Sequence, residues 1–567
     1  MRICRLFGLG TLGALAAILV LALGASGAGA SRGDDQLSKI DHIVVIYEEN
    51  HSFDNLYGGW EGVNGRTNAD AAHTQQVDQA DALFDCLKQN DVNLTSPPLP
   101  ATCTDTAHGF SSAFENTWFG IDPFIPPSAT TCPPILQAFS FPNGLLNGTG
   151  LPGGCTRDLV HRFYEEQYQL NGGRQNRYMT GSDAMGLTMG TYDTRSLPIY
   201  EYLHSGNHPH YAIADDFFQS AFGGSFLNHQ WLIAAATPTY PGAPDTLHSL
   251  IDTNGMPRAE PLYTPTVTPT RDAALTVACP SPVAGLACGD FAVNTMQPTF
   301  RPFGAFGAKL PPQTNPTIGD RLNAAGIDWA WYAGGWSNAN GDVGAPGWTN
   351  GNGPTCSDPN VDPSPGIAVF PYCPSNVFQY HHQPFNYYEA FDPSTPAGLA
   401  NRQAHLKDEQ EFIQAAQASG KECGLKPVSF VKPFGTENEH PGYASEPNGS
   451  DHLVDLLQAI SSSACAKDTM VIVTYDEFGG QWDHVPPPGQ DGTSGPHDEW
   501  GPGTRIPALV VSPFLRGNFV VDHTQYDTTS ILATIEHRFG LAPLSSRDAA
   551  VNDLSNVFAA KQVEATP

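Results

Sequence analysis

IDHIVVIY, residues 40–47, runs without a break into Glu48, Glu49, Asn50, His51, Ser52, Phe53 and Asp54. A continuous β-branched and aromatic run without polar alternation reads as a strand buried on both faces, which is the situation of a parallel sheet covered by helices. MVIVTY, residues 470–475, repeats the pattern and runs into Asp476 and Glu477. Working outward, Tyr211–Ala214, Ile327–Tyr332, Val428–Val431 and Ile506–Val511 read as further strands. Arg195–His204, Ile318–Ala325, Asn401–Ala418 and Asp451–Ser461 read as helices between them. Thr528–Phe539 reads as a closing helix stopped by Gly540. The fold class expected is α/β, with a mostly parallel central sheet flanked by helices.

Two stretches break this rhythm. Residues 85–155 and 235–375 are rich in Pro, Gly, Thr and Cys, and read as disulfide-stapled insertions that wall a site within one domain over residues 37–560. The mature cysteines invite neighbour pairing: Cys86 with Cys103, Cys132 with Cys155, Cys279 with Cys288, Cys356 with Cys373 and Cys423 with Cys465. A zinc site is the alternative use of these thiols, but no Cys-x-x-Cys pair occurs.

The first thirty residues carry Arg2 and Arg5, an apolar run and the small residues Ala28, Gly29 and Ala30. This is the layout of a signal peptide cleaved after Ala30 and of a secreted or periplasmic protein; an uncleaved membrane anchor is the competing reading. With 27 Lys plus Arg against 57 Asp plus Glu, the net charge of −30 repels nucleic acid and anionic membranes. No stable membrane insertion is expected after signal removal, and an anionic substrate needs a local site that overcomes this field.

Such a site has candidates. Acidic and amide side chains at the carboxyl ends of two parallel strands sit where open α/β sheets bind ligands, and hard oxygen ligands suit a divalent cation. A polar turn in which Asn50 or Ser52 caps a short helix accounts equally for the first segment, and a solvated acidic loop for the second. In Phe222, Gly223, Gly224, Ser225, Phe226, Leu227, Asn228, His229, the serine stands at the start of a short helix. Backbone donors and the helix dipole can hold a phosphate there, although a serine so placed also reads as a plain N-cap. Leu227 departs from the Gly-x-Ser-x-Gly elbow of α/β-hydrolases. Among 19 histidines, His161, His381, His382 and His440 offer phosphate hydrogen bonds and a general acid.

Taken together, ENHSFDNLYG (49–58), GGSFLNHQ (223–230) and DEFGGQWDHVPPP (from Asp476) resemble the bacterial phosphoesterase family of acid phosphatases and non-specific phospholipases C. The resemblance extends from about Ile40 to Gly540 and implies an alkaline-phosphatase-like fold. It implies Ser225 as nucleophile, Asn228 as a donor to phosphate oxygen, and Glu49, Asn50, Asp476 and Glu477 as ligands of one divalent metal. The acid phosphatase branch carries two aspartates at the last pair, where this chain has Asp476 and Glu477. His381, His382 and His440 match that branch's phosphate-pocket histidines, and His161 matches on less distinctive flanks. For the metal, the oxygen-rich set favours calcium, magnesium or manganese, with zinc still open.

The implied reaction is in-line attack by Ser225, a phosphoseryl intermediate, and protonation of the leaving alcohol by His440, His381 or His382. Asp483 and His484 read as supports behind the ligands. With 27 residues after Gly540, a compact secreted acid phosphatase is expected first. A phospholipase C that cleaves headgroups is the alternative, and a phosphate- or metal-binding protein without turnover is the non-enzymatic one. Oligomeric state is not legible.

Overall fold

The computed structural model describes residues 32–88, 99–124, 158–269, 272–279, 281, 286–303, 307–348, 378–418, 422–435, 437–441 and 444–562. Its centre is an eight-stranded sheet. In chain order the strands are β1 (His42–Glu48), β2 (Tyr211–Ala214), β3 (Trp329–Ala333), β4 (Leu406–Asp408), β5 (Val428–Lys432), β6 (Thr469–Tyr475), β7 (Ala508–Val511) and β8 (Phe519–Asp522). Their order across the sheet is β4-β3-β5-β1-β6-β7-β2-β8. Only β7 is reversed, pairing antiparallel with β6 and β2. β1 lies between β5 and β6, with Ile43 in register with both Val428 and Met470, and Glu48 opposite Tyr475. Every residue of β1 after His42 is buried, as its unbroken apolar run requires.

Helices cover both faces: α1 (Phe163–Leu170), α2 (Ser225–Ala234), α3 (Ile318–Ala325), α4 (Glu409–Ala416), α5 (Glu446–Ser461) and α6 (Thr529–Phe539). α2 is buried along its whole length, which suits a helix that is apolar on nearly every side. α3 begins in a Thr317–Asp320 capping box, and α6 ends at Gly540 in the left-handed conformation. Tyr47 and Trp331 face His229 of α2, whereas Tyr332 packs on Phe412 of α4.

Three expectations change. The helix expected over 401–418 is two helices, Pro396–His405 and α4, separated by the edge strand β4. Asp408 causes the break: its carboxylate accepts from Gln410 N to cap α4 and from Ser337 N beside β3. β8 and α1 were not expected. Within residues 235–375, α3 and β3 belong to the central layers, so among the described residues the irregular stretch expected there is interrupted from Ile318 to Ala333. Disulfides Cys86–Cys103, Cys279–Cys288 and Cys423–Cys465 match the neighbour pairing and fit an oxidising, extracellular or periplasmic setting. Cys132, Cys155, Cys356, Cys373 and the signal segment lie outside the described residues. Among the described residues, no helix is long and apolar enough to cross a membrane.

Candidate active site

Three adjacent strands, β5, β1 and β6, end at the same edge of the sheet, and there Lys432, Glu49 and Asp476 meet. Ser225 approaches from α2. Its helix is capped by Gly224 in an extended conformation, so Ser225 is the first helical residue and its hydroxyl is not spent on capping. Gly223 stands at φ +90, where a Cβ would lie 2.6 Å from Phe163 N; only glycine allows this turn. Ser225 Oγ lies 3.2 Å from Glu49 Oε2, 3.5 Å from Asn50 Oδ1 and 3.5 Å from Glu477 Oε1. Glu477 therefore reaches Ser225 despite its extra methylene.

Asn50 holds the centre. Its backbone N–H donates to Asp476 Oδ1 at 3.2 Å, and its side-chain amide donates to His440 Nε2 at 2.9 Å. Asn50 has φ 59, and a Cβ on Gly479 would sit 2.3 Å from its carbonyl oxygen, so the two acidic turns can nest only with glycine at 479. Behind them, Asp54 and Asp483 share Arg505, and His484 N donates to Asp54 Oδ2 at 2.9 Å. This buried network stitches the two turns together, as expected of Asp483 and His484. Ser52 does cap the helix Phe53–Leu56, so the polar-turn reading describes Ser52 while Glu49 and Asn50 face the site.

The electrostatics are those of crowded carboxylates. Burial, then the charge of Glu49, pushes Asp476 well up; burial, then Asp476, does the same to Glu477. Burial also acts to raise Glu49, but His382 and Lys432 outweigh it and hold Glu49 well below the usual range. Lys432 Nζ is 2.5 Å and His382 Nε2 2.8 Å from Glu49 Oε1. Burial drives His229 and His381 well below the ordinary histidine value and His382 down to about 4. Glu49, His229 and His382 present ligand atoms within 4.8 Å of one another. Asp476 Oδ2 and His229 Nε2 make no hydrogen bond among the described residues. A divalent cation fits this set, relieving the repulsion and using the orphaned atoms.

Ser225, His161, His381 and His440 line a cavity of about 560 Å³, one wall of which is the excursion before Ile318, including Asp272 and Asn294. His382 lies behind it, against Glu49. Asn228 does not face the cavity: its amide donates to Ala221 O and Gly223 O and accepts from Ala221 N, bracing the turn before Ser225. Lys432, His229 and Glu166 were not singled out from sequence. Glu166 of α1 accepts from Gly223 N, Thr504 N and Gln219 Nε2, and so holds the turn before Ser225.

Comparison with known proteins agrees with this geometry. Phospholipase C B of Mycobacterium tuberculosis (strain ATCC 25618 / H37Rv) is 25% identical over 565 residues, covering 94% of this chain and 80% of that protein. Non-specific phospholipase C6 of Arabidopsis thaliana is 31% identical over 144 residues, 22% of this chain and 28% of its own. Non-hemolytic phospholipase C of Burkholderia pseudomallei (strain K96243) is 30% identical over 179 residues, 27% of this chain and 25% of its own. The Phosphoesterase family model matches residues 40–542, which include the strand ends, the turn before Ser225 and every histidine of the cavity: the chain belongs to the Phosphoesterase family and is a hydrolase acting on phosphoric ester bonds.

Proposed function

We propose that this enzyme cleaves phospholipid headgroups as a phospholipase C, with Ser225 as nucleophile. The observation that carries the serine chemistry is the position of Ser225 Oγ, uncommitted to capping, at the N-terminus of a buried helix and within 3.5 Å of Glu49, Asn50 and Glu477. A phosphomonoesterase is the second reading. The relatives that cover most of this chain are named phospholipase C, and the cavity wall favours the diester. Asp158, Asp183 and Asp272 line it against Arg162 and Arg258, and Arg162 is already paired with Asp272 at 3.0 Å. Such a lining suits a phosphate that carries a cationic headgroup.

When bound by Glu49, Asn50, Asp476 and Glu477, with His229 and His382 adjacent, a divalent cation would supply charge neutralisation at the phosphoryl group and acidify the serine hydroxyl. Ser225 Oγ attacks phosphorus, forming the Oγ–P bond as the P–O bond to the glycerol oxygen breaks, and the helix N-terminus stabilises the phosphoryl oxygens. The serine proton passes to solvent as Oγ attacks; water then displaces Ser225 from phosphorus, leaving its hydroxyl on the phosphate and its other proton on Oγ, and solvent reprotonates the general acid.

The proton for the leaving oxygen is best assigned to His161. Its Nδ1 lies 2.6 Å from Leu159 O and its Nε2 faces Glu477 Oε1 at 3.4 Å, so both ring nitrogens face acceptor oxygens in the cavity that Ser225 lines. His440 has its Nδ1 on Pro441 O at 2.6 Å, which leaves Nε2 as the acceptor for Asn50; burial lowers its pKa as well. The three histidines first considered for this role are thus held neutral; His381 and His440 line the cavity and can bind phosphate, whereas His382 is held by Glu49 behind it.

The test compares p-nitrophenyl phosphocholine, phosphatidylcholine vesicles and p-nitrophenyl phosphate, with wild type and Ser225→Ala, before and after chelation. Diester cleavage that exceeds monoester cleavage and disappears in the variant is expected. Monoester cleavage alone would return the reading to acid phosphatase, and full activity in Ser225→Ala would overturn both.

A further inference from the structure

On the opposite face of the sheet from Ser225, a second group of ligand-type side chains converges. Glu409 opens α4, His452 lies on α5, and Glu437 sits in the segment between β5 and His440. Their ligand atoms all lie within 4.8 Å of one another. His452 Nε2 is 2.8 Å from Glu409 Oε1, and His452 Nδ1 is 3.9 Å from Glu437 Oε2. The side chains are graded from interior to surface, with Glu409 3%, His452 13% and Glu437 37% exposed, which leaves an approach from solvent.

What distinguishes this group from an ordinary acidic patch is Glu48. It is fully buried, and neither carboxylate oxygen has a hydrogen-bond partner among the described residues. The sheet register fixes its direction. Tyr332, Val431 and Ile46 are in-register neighbours on one face, and Tyr332 packs on Phe412 of α4. Glu48, two residues after Ile46, points to the same face. The neighbouring ammonium of Lys432 is committed to Tyr47 O, Glu48 O and Glu49. One imidazole therefore faces three carboxylates, one of them buried without a donor.

We propose that Glu48, Glu409, Glu437 and His452 form a second divalent-cation site, separate from the one beside Ser225. Three carboxylates and an imidazole suit a first-row cation such as Mn²⁺ or Zn²⁺ more than an all-oxygen calcium cage. The site would tie the strand end that carries Glu49 to the segment that carries His440, through α4 and α5, and so act structurally on the active-site floor.

Native mass spectrometry of protein loaded with Mn²⁺ and desalted provides the count. Two ions per chain are expected; Asp476→Asn should remove one, and Glu409→Gln combined with His452→Ala the other. Anomalous diffraction at the Mn edge on wild-type crystals needs no variant and should place a peak among Glu409, Glu437 and His452. One ion per chain, lost in Asp476→Asn, with no such peak, would overturn the proposal and leave His452 as an imidazolium paired with Glu409. One ion retained in Asp476→Asn and lost in the double variant would support this site and count against the metal beside Ser225.

Discussion

Lys432 Nζ lies 2.5 Å from Glu49 Oε1, and both side chains are fully buried. The pair spans the ends of two adjacent parallel strands, and the ammonium also donates to Tyr47 O at 2.8 Å. With His382, it keeps a fully buried carboxylate ionised beside Ser225. Removing one partner of a buried pair leaves the other charge uncompensated, so Lys432→Met should destabilise the metal-free protein by about 3–5 kcal/mol. Because a cation can substitute for the lost charge, added Mn²⁺ or Ca²⁺ should raise the Tm of Lys432→Met more than that of wild type. Thermal melts with and without chelator measure both effects.

His161 carries the assignment of the general acid. Protonating a leaving group matters most when that group is a poor one, so His161→Gln should lower kcat/KM on alkyl esters by about 10²–10⁴-fold. On p-nitrophenyl esters, whose leaving group needs no proton, the loss should stay below about tenfold. Equal losses on both substrate types would reassign His161 to phosphate binding, and a selective loss in His440→Gln instead would move the role there.

Asn228 is expected to act through the turn it braces. Asn228→Ala leaves Ala221 N and two carbonyls without their partner, at a cost of about 1–3 kcal/mol. The effect should appear in kcat, through the placement of Ser225, while inhibition by inorganic phosphate changes little. A marked weakening of phosphate inhibition with unchanged stability would restore the donor role implied by the family resemblance.

The parts of this architecture that were legible are those set by contiguous residues. β1 and β6 announce themselves because a strand buried on both faces must be apolar throughout, and the acidic turns follow them directly in the chain. Lys432 was not legible: a lysine closing VSFVK reads as a strand terminus in solvent, and its burial depends on Glu49, far away in the chain. β4 was hidden because Leu406–Asp408 sits inside a helical pattern, and only pairing with Trp331–Ala333 draws it out. His229 lies within a quoted motif, yet its place beside Asp476 and His382 is set by how α2 packs on the sheet. Asn228 was read by motif, whereas the bonds of its amide to Ala221 and Gly223 depend on how the turn before Ser225 folds back on α2.

Glu166 gives a pH dependence with a definite sign. Burial pushes its carboxyl from 4.5 up to about 7, against the donors that favour the anion. A raised carboxyl pKa means that the folded state holds the proton between pH 4.5 and 7 while the unfolded chain has lost it. Stability from this group therefore falls as pH rises through that window, by about 3 kcal/mol in all. Glu166→Gln lacks this dependence, so wild type should gain stability relative to the variant as pH drops from 7 to 5. Denaturant titrations of both proteins at several pH values measure the difference, and a parallel course would sink the assignment.

Metal removal should expose the repulsion among the acidic side chains. Asp476 is raised well above its ordinary value, by burial and then by Glu49. In the chelated protein this group's contribution to stability should fall as pH rises above the ordinary aspartate range, because only the folded state then retains the proton. Asp476→Asn removes the charge while keeping an oxygen to accept from Asn50 N and Glu477 N. Chelated Asp476→Asn should therefore be more stable than chelated wild type at neutral pH, on the order of 1–2 kcal/mol, although the variant loses activity. With cation added the order should reverse, since wild type gains the binding energy and the variant largely does not. Melting both proteins in chelator and in Mn²⁺ decides the point: an unchanged order in the two buffers would show that Asp476 does not hold a cation.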